Sequence, residues 1–401
     1  MTNYTETLGA EPTRVASPRT IEELADAVFE AVEAGHRVVP NGGGTGQDYG
    51  YPPRPGAFTL IETGGLNRVV AIEPGDLTIT VEAGVTIAAV QDALRPHGLF
   101  LPLDPPRPAE ATVGGVLAAN AFTASRLGYG TARDWLIGLS FVNAEGKLVK
   151  GGGKVVKNVT GYDIPKLHIG ALGTLGVLAE ATFKVAPLPE AERTVLVRPG
   201  DDNAASISGF IRDTLNAVSP TRFYGRQDET GTYFVAHFNG FAEAVVSEAE
   251  KCAGLARASV TSRHAVSIIE ELTAHDSPHG AVVFRAVGPV DEQWGALCTM
   301  SAMLAEVGAV IETWYGTGAT QAYFPEWSDG VAAAMSGMIE LISTRVRSSL
   351  TGYTMVHAPL WHRGKDECVW FPKAASLPLM RRVKTALDPD DSLNPGRFVT
   401  R

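Results

Sequence analysis

The chain has 401 residues, 45% hydrophobic and 19% charged, which is enough for a large packed core and too apolar for a disordered protein. Its net charge of −10 argues against nucleic acid or an anionic membrane face as a partner. Three distant cysteines, Cys252, Cys298 and Cys368, give no disulfide framework, zinc knuckle or iron–sulfur motif, and no window reaches the ~18 apolar residues of a membrane helix. The polar segment 1–14 does not read as a secretory signal, so a soluble cytoplasmic protein of two or three domains is expected.

In chain order, Thr20-Ile21-Glu22-Glu23 reads as a capping box for a helix whose stripe is Leu24, Val28, Phe29 and Val32, ending at Gly35. A strand at 37–40 follows, then the loop Pro40-Asn41-Gly42-Gly43-Gly44-Thr45-Gly46-Gln47, whose consecutive glycines suit neither helix nor strand. Short branched runs at 58–62, 69–73 and 77–82 read as strands, and Thr86 caps a helix that closes at Pro96 and Gly98. Residues 101–108 are proline-dense and extended. A second glycine segment, Ala111-Thr112-Val113-Gly114-Gly115, leads into a short helix over 116–121. A hairpin flanks Ala144-Glu145-Gly146, a glycine-rich loop and helix span 160–176, and a strand runs over 177–185. Beyond Pro189, strands at 223–224, 232–238, 281–287 and 310–315 alternate with helices at 243–255, 291–307 and 328–342. Two β-α-β-like units can be drawn there, which predicts a sheet with helices on one face. No long internal repeat is evident.

The first loop is not a P-loop, because no Lys-Ser/Thr follows its glycines. Nor is it a dinucleotide fingerprint, because Gln47 stands where the third glycine belongs and Tyr49-Gly50-Tyr51-Pro52-Pro53 is a poor helix start. What remains is a nest of N–H groups around a pyrophosphate, or a tight surface turn. Thr112, Gly114 and Gly115 add a hydroxyl and two exposable N–H groups, or else a packed strand–helix turn. Tyr129-Gly130 and Gly173-Thr174-Leu175-Gly176 extend the series, which suits a long phosphate-bearing cofactor threaded between subdomains.

The ordered set Gly42–Gly46, Thr80–Gly84, Ala111–Gly115, Lys157–Asp163 and Gly173–Val177, closed by Leu393-Asn394-Pro395-Gly396-Arg397, resembles the FAD-binding domain shared by vanillyl-alcohol oxidase and p-cresol methylhydroxylase. The resemblance covers about residues 14–189 and is nearest to the FAD-binding second subunit of bacterial glycolate oxidases. It implies that Asn41, Gly42, Gly43, Gly44, Thr45, Gly46 and Gln47 wrap the FAD pyrophosphate. Thr112, Gly114 and Gly115 would hold the diphosphate and ribityl chain, and Tyr129 and Gly130 would line the cofactor. Gly173, Gly176 and Val177 would sit near the isoalloxazine or the adenine end, and Asn394 would approach from the C-terminal tail. The first loop has no His or Cys, so the resemblance implies non-covalent FAD. The family's His-Gly-Asp-Gly-Asn and Glu-His-Gly metal motifs are absent, and Ala171-Leu172 replaces the Ser-Glu of its 2-hydroxy-acid dehydrogenases, so no metal is expected.

Polar candidates for chemistry lie in the second half. Arg222, Tyr224 and Arg226 share one face of a strand, with Phe223 and Gly225 opposite. His237, Arg285 and His357 stand in apolar surroundings. An arginine there would hold a carboxylate or stabilise reduced flavin, or else each is a structural residue. Together these features predict an α+β flavoprotein: residues 1–189 bind FAD in two α+β subdomains, 190–386 form a βαβ-type cap, and 387–401 return to the FAD domain. The resemblance implies oxidation of a small hydroxy acid such as glycolate or lactate. Electrons would pass to partner subunits, including an iron–sulfur acceptor and a second flavoprotein subunit, and any membrane association would come through them. Alternatives are a self-sufficient FAD oxidase or dehydrogenase, a flavin-bearing relay subunit without turnover, and a sugar-phosphate or nucleotide-binding module.

Overall fold

The computed structural model describes residues 4–153, 163–198, 204–228, 231–256, 259–263, 282–289, 292–324, 326–344, 352–363, 369–371 and 375–398. The motif at 156–163, apart from Asp163, and Cys368 lie outside them.

A single helical turn, α1 (Tyr4–Leu8), and a short strand, β1 (Arg14–Ala16), precede helix α2 (Ile21–Glu33). Thr20 caps α2 by accepting from the Glu23 N–H at 3.2 Å. The Glu23 carboxylate accepts from the N–H of Arg19, one residue outside the expected capping box. The buried stripe is Leu24, Ala27, Val28 and Ala31; Phe29 is 51% exposed. Strands β2 (Arg37–Asn41) and β3 (Phe58–Glu62) join β1 in a parallel sheet of order β1-β3-β2. The C-terminal tail lies beside this sheet, with Leu393 bridging Val38 in parallel.

The next segment comprises β4 (Val69–Glu73), β5 (Thr78–Glu82), α3 (Ile87–Leu94), β6 (Leu99–Phe100), α4 (Val113–Ala119), α5 (Arg126–Tyr129), α6 (Ala132–Trp135), β7 (Leu136–Val142), β8 (Leu148–Gly152), α7 (Pro165–His168), β9 (Val177–Lys184) and β10 (Ala186–Pro187). An antiparallel sheet, β4-β5-β9-β7-β8, packs Val81, Phe141 and Phe183 against Val90 of α3 and Leu117 of α4. Helix α4 begins three residues before the expected start, because the Thr112 hydroxyl caps it by accepting from Gly115 N–H. The helix expected within 160–176 is the single turn α7.

Beyond Pro189 come β11 (Ala191–Arg198), α8 (Ala204–Ala217), β12 (Arg222–Asp228), β13 (Gly231–Gly240), α9 (Ala242–Leu255) and β14 (Ser259–Arg263). They are followed by β15 (Val282–Val287), α10 (Gln293–Leu304), β16 (Val310–Trp314), β17 (Ala319–Phe324), α11 (Asp329–Thr344), β18 (Gly352–His357), α12 (Leu360–Arg363), β19 (Trp370–Phe371) and α13 (Leu377–Leu387). Among the described residues these strands form one antiparallel sheet of order β14-β11-β13-β12-β16-β17-β15-β18-β19. The order conceals a duplication. The series β11-α8-β12-β13-α9-β14 is a β-α-β-β-α-β unit in which β13 lies between the two strands joined by α8. The series β15-α10-β16-β17-α11-β18 repeats it, and the two halves meet antiparallel at β12 and β16. The two expected β-α-β units are therefore split units within a repeat of topology that the sequence does not display.

All four long helices cover one face, where Phe223, Phe234, Phe284, Tyr315 and Phe324 meet Leu297, Met300, Met335 and Met338. The other face, carrying Tyr224, Arg226, Arg285 and Trp314, turns toward α4 and the glycine loop; Phe122, just beyond α4, packs on Trp314 with ring centroids 5.9 Å apart.

Candidate cofactor and substrate site

The glycine loop begins where β2 ends. Gln47 ties its two ends together, donating from Nε2 to the Pro40 carbonyl (2.7 Å) and to Asn41 Oδ1 (3.0 Å). Gly42 and Gly43 let the loop lie directly on the Glu110–Thr112 segment: a Cβ on Gly42 would overlap the Thr112 hydroxyl, and one on Gly43 the Glu110 carbonyl. Gly44 turns the chain back at φ 74°. At Gly46 a Cβ would reach only Ala119, at 3.7 Å. The N–H groups of Gly43, Gly44, Thr45 and Gly46 have no hydrogen-bond acceptor among the described residues.

These residues wall a hollow of about 620 Å³, completed by Gly114, Gly115, Gly173, Val177, Asn394 and Arg397. Two buried polar atoms in its wall lack partners, Asn394 Oδ1 and Arg397 Nε. A run of unpaired N–H donors and a buried cation suit a pyrophosphate, and an orphaned amide oxygen suits a group with N–H donors, so the residues present fit FAD. The tail is fixed for this task. Asn394 (φ 42°) donates to the Leu172 carbonyl at 2.7 Å, and Arg397 Nη1 donates to the Gln47 carbonyl at 2.8 Å. Lys384 of α13, buried beneath the tail, donates to the carbonyls of Thr174 (2.8 Å) and Leu393 (2.9 Å) and pairs with Asp388.

A second hollow of about 680 Å³ shares the wall residues Thr45, Gly46, Gly115 and Ala119 with the first, so the two adjoin. Its far wall is the open face of the large sheet. The Arg285 guanidinium lies over the rings of Phe122 (4.6 Å) and Trp314 (5.3 Å), and Nη2 donates to Gln321 Oε1 at 3.3 Å. Its Nε has no partner. Burial lowers its pKa from the ordinary arginine value, though a guanidinium remains a cation at neutral pH. Arg126 lies 4.8 Å from the same Phe122 ring, and Arg107 also lines the hollow. Positive charge thus gathers at one place on a net-negative chain.

His357 reaches this hollow through a backbone irregularity. Between Val283 and Phe284 the pairing with β18 skips a residue: Val283 faces His357, but Phe284 faces Met355. The extra residue is Val356. Strict alternation would send His357 to the helix-covered face with Met355; the bulge brings Val356 and His357 to the same side, and both line the hollow. His357 Nδ1 lies 2.7 Å from Asp48 Oδ1, in the residue after Gln47. Burial would raise the Asp48 pKa, but the pull of His357 when it is protonated, its hydrogen bond and the Arg363 charge outweigh it and hold the carboxylate below its ordinary value.

Other expected site residues lie elsewhere. Asn41 and Thr112 brace the loop and cap α4 from behind the hollow's wall. The two expected exposable N–H groups are taken: Gly114 donates to the Ala83 carbonyl and Gly115 to Thr112. Tyr129 and Gly130 line neither hollow; the Tyr129 hydroxyl donates to Asn239 at 2.7 Å, and Gly130 is backed by Asp134. Gly176 lies against Phe141 and His168. Arg222, Tyr224 and Arg226 do share a face, but Arg222 pairs with Asp104 at 3.2 Å across to the proline-dense loop. Tyr224 is packed among Tyr233, Val235 and Trp314, and burial drives its pKa well up. Arg226 pairs with Glu312 at 3.8 Å. His237 bonds Thr194 at 3.0 Å, and burial lowers its pKa to about 3, so it is a neutral structural histidine. Asp48, Arg397 and Lys384 were not singled out from the sequence. Asp48 adjoins the loop and Arg397 lies in the closing motif, but Lys384 looks like any lysine of an amphipathic helix. Among the described residues no group of three or more His, Cys, Asp or Glu is placed to hold a metal, and no helix is long and apolar enough to cross a membrane.

Residues 12–152 match a family described as FAD binding domain. The chain is 35% identical over 195 residues to glycolate oxidase subunit GlcD of Bacillus subtilis (strain 168), covering 49% of this chain and 41% of that one. It is 27% identical over 444 residues to the D-2-hydroxyglutarate dehydrogenase of Xanthomonas citri pv. viticola, covering 99% and 91%. Over 124 residues it is 39% identical to glycolate oxidase subunit GlcE of Escherichia coli (strain K12), covering 31% and 35%. The matches to the two glycolate oxidase subunits thus span less than half of either relative. The solved chitooligosaccharide oxidase shares the fold, with a TM-score of 0.72 at 14% identity over 97% of this chain and 92% of that one. Residues 12–152 are therefore an FAD binding domain.

Proposed function

We propose that the chain is an FAD-dependent oxidoreductase that oxidises a small 2-hydroxy acid, working as the FAD-binding subunit of a glycolate oxidase-like complex. In this reading residues 1–189 with the tail 387–401 hold FAD non-covalently, and residues 190–386 cap it. The carrying observation is that the glycine-loop hollow adjoins, across Thr45, Gly46, Gly115 and Ala119, a second one whose far wall presents Arg285 with an Nε that has no partner among the described residues.

FAD bound in the first hollow supplies a hydride acceptor. The Gly43–Gly46 N–H groups and Arg397 neutralise its pyrophosphate, and the tail holds Asn394 against it. Arg285 binds the substrate carboxylate, which fixes the carbon bearing the hydroxyl at the junction of the hollows. Phe122 and Trp314 hold the guanidinium in place and shield it from water, which strengthens that charge pair. The likeness to the glycolate oxidase subunits GlcD and GlcE supports work within a multi-subunit complex, and in this reading electrons pass on to an iron–sulfur subunit and a second flavoprotein subunit. A relay subunit without turnover is the competing reading, favoured by the absence of the family's metal-binding motifs from the sequence.

The test is anaerobic. The purified yellow protein is mixed with glycolate, D-lactate, L-lactate or D-2-hydroxyglutarate, and flavin absorbance is followed. Bleaching by at least one acid is expected, and Arg285→Gln should raise the half-saturating concentration at least about tenfold through loss of a charge-assisted contact. Full flavin occupancy with no bleaching by any acid would favour the relay. A protein that cannot be reconstituted with FAD would refute both.

A further inference from the structure

We propose that His357 is the catalytic base that takes the substrate's hydroxyl proton, with Asp48 as its positioning residue. This rests on the reading of the second hollow as the substrate site. Three observations carry it. The β18 bulge turns His357 out of the helix-covered face and into the hollow beside Arg285. The 2.7 Å contact from Asp48 engages Nδ1, so the neutral imidazole carries its proton there and leaves Nε2 as the acceptor. Among the described residues the His357 ring makes its hydrogen bond at Nδ1, whereas Nδ1 of His237 is engaged by Thr194 and that ring is sealed in the sheet.

The step balances as follows. The substrate's C–H bond breaks with its electron pair, which leaves as hydride to oxidised flavin. The hydroxyl proton passes to His357 Nε2, and the C–O bond becomes the carbonyl of a 2-oxo acid. The imidazolium that results is stabilised by the Asp48 carboxylate. Base and carboxylate come from different parts of the chain, β18 and the segment adjoining the glycine loop. The pair therefore exists only while the cap is seated on the cofactor loop, which ties proton removal to an assembled FAD site. The charged and titratable groups around it are Asp48 and Tyr49 from that segment, Arg363 from α12, Arg285 from β15 and Arg107 from the proline-dense loop.

Two measurements test this, each on FAD-loaded protein whose flavin spectrum confirms folding. In stopped-flow anaerobic reduction, the wild-type rate should rise with pH along one ionisation. His357→Gln should lower that rate at least about 100-fold and flatten the profile, with substrate affinity changed by less than about threefold. In nuclear magnetic resonance of the imidazole nitrogens, the neutral wild-type ring should carry its proton on Nδ1, and Asp48→Ala should mix in the Nε2–H tautomer, because the carboxylate that accepts from Nδ1 is gone. Wild-type flavin bleached by an acid, with His357→Gln reduced within threefold of the wild-type rate, overturns the base while leaving the proposed function standing. No bleaching of wild type by any acid overturns both. An unchanged tautomer in Asp48→Ala overturns the positioning role on evidence independent of turnover.

Discussion

At the scale of single residues, adjacent glycines in one loop serve different ends. Gly43 lies so close to the Glu110 carbonyl that any side chain would force two backbone segments apart, whereas Gly46 faces open volume shared by both hollows. Substituting Gly43 therefore measures loop packing rather than cofactor contact. Gly43→Ala should destabilise the cofactor-free protein by about 1–3 kcal/mol, the usual cost of overpacking. Gly46→Val should leave the cofactor-free melting temperature within a few degrees and yet abolish FAD retention, because its methyls enter the hollow. Thermal melts with and without added FAD separate the two, and equal losses of apo stability would refute the division. The sequence announces the loop by its glycine count, but which glycines pack and which face the ligand depends on a segment about 65 positions away. The same limit applies to Arg222, Arg226 and Arg285. Their side of the sheet follows from alternation, yet only the fold reveals that Arg222 is engaged by Asp104 while Arg285 keeps an open Nε.

At the scale of elements, local signals were legible where one residue decides a boundary. Thr20, Thr86 and Thr112 each cap the helix that follows. Strands β11, β17 and β18 escaped notice because neighbouring strands and helices, not their own pattern, bury them. The β18 bulge is invisible in sequence, since it is a mismatch between two strands about 70 residues apart. Helix α13 illustrates a role that amphipathic periodicity cannot convey. Its Lys384 is 2% exposed and binds two carbonyls and the Asp388 carboxylate, which in turn accepts from the N–H groups of Ser392 and Leu393. Burial would raise the Asp388 pKa, but Lys384 and these donors lower it below 3.8, so its contribution is complete above that value and lost as pH falls through the folded value. Lys384→Met leaves that carboxylate buried without its cation, at a cost of about 3–5 kcal/mol. Because Asn394 and Arg397 follow directly, FAD dissociation should quicken as well. Fluorescence of released flavin after dilution measures this, and an unchanged rate would mean that the tail keeps its place without α13.

At the scale of the whole molecule, the sheet of residues 191–357 is two copies of one topology, and in the proposed reading it is a cap whose polar face becomes a site only when seated on the FAD-binding part. The contacts that hold it there include Arg222 with Asp104, His357 with Asp48, Tyr129 with Asn239, and Arg363. Arg363 is the strongest clamp. It is wholly buried and donates to carbonyls from three separate places, Ala358 at 2.9 Å, Gly50 at 3.2 Å and Thr7 at 2.6 Å. One guanidinium thus joins the N-terminal turn, the segment after the glycine loop and the end of the cap. In sequence it stands in a basic, aromatic run, Trp361-His362-Arg363-Gly364-Lys365, and nothing local indicates that two of its three partners lie more than 300 residues away. Its removal leaves three buried carbonyls unpaired at about 1–3 kcal/mol each, partly relieved where water enters. Arg363→Met should therefore lower stability by several kcal/mol and loosen the cap before the FAD domain unfolds. Native-state hydrogen exchange gives the decisive readout: faster exchange across β15, β17 and β18, with β5, β7 and β9 still protected. Uniform acceleration through both sheets would mean instead that cap and FAD domain open as a single cooperative unit and that Arg363 stabilises the whole fold rather than the docking of one part on the other.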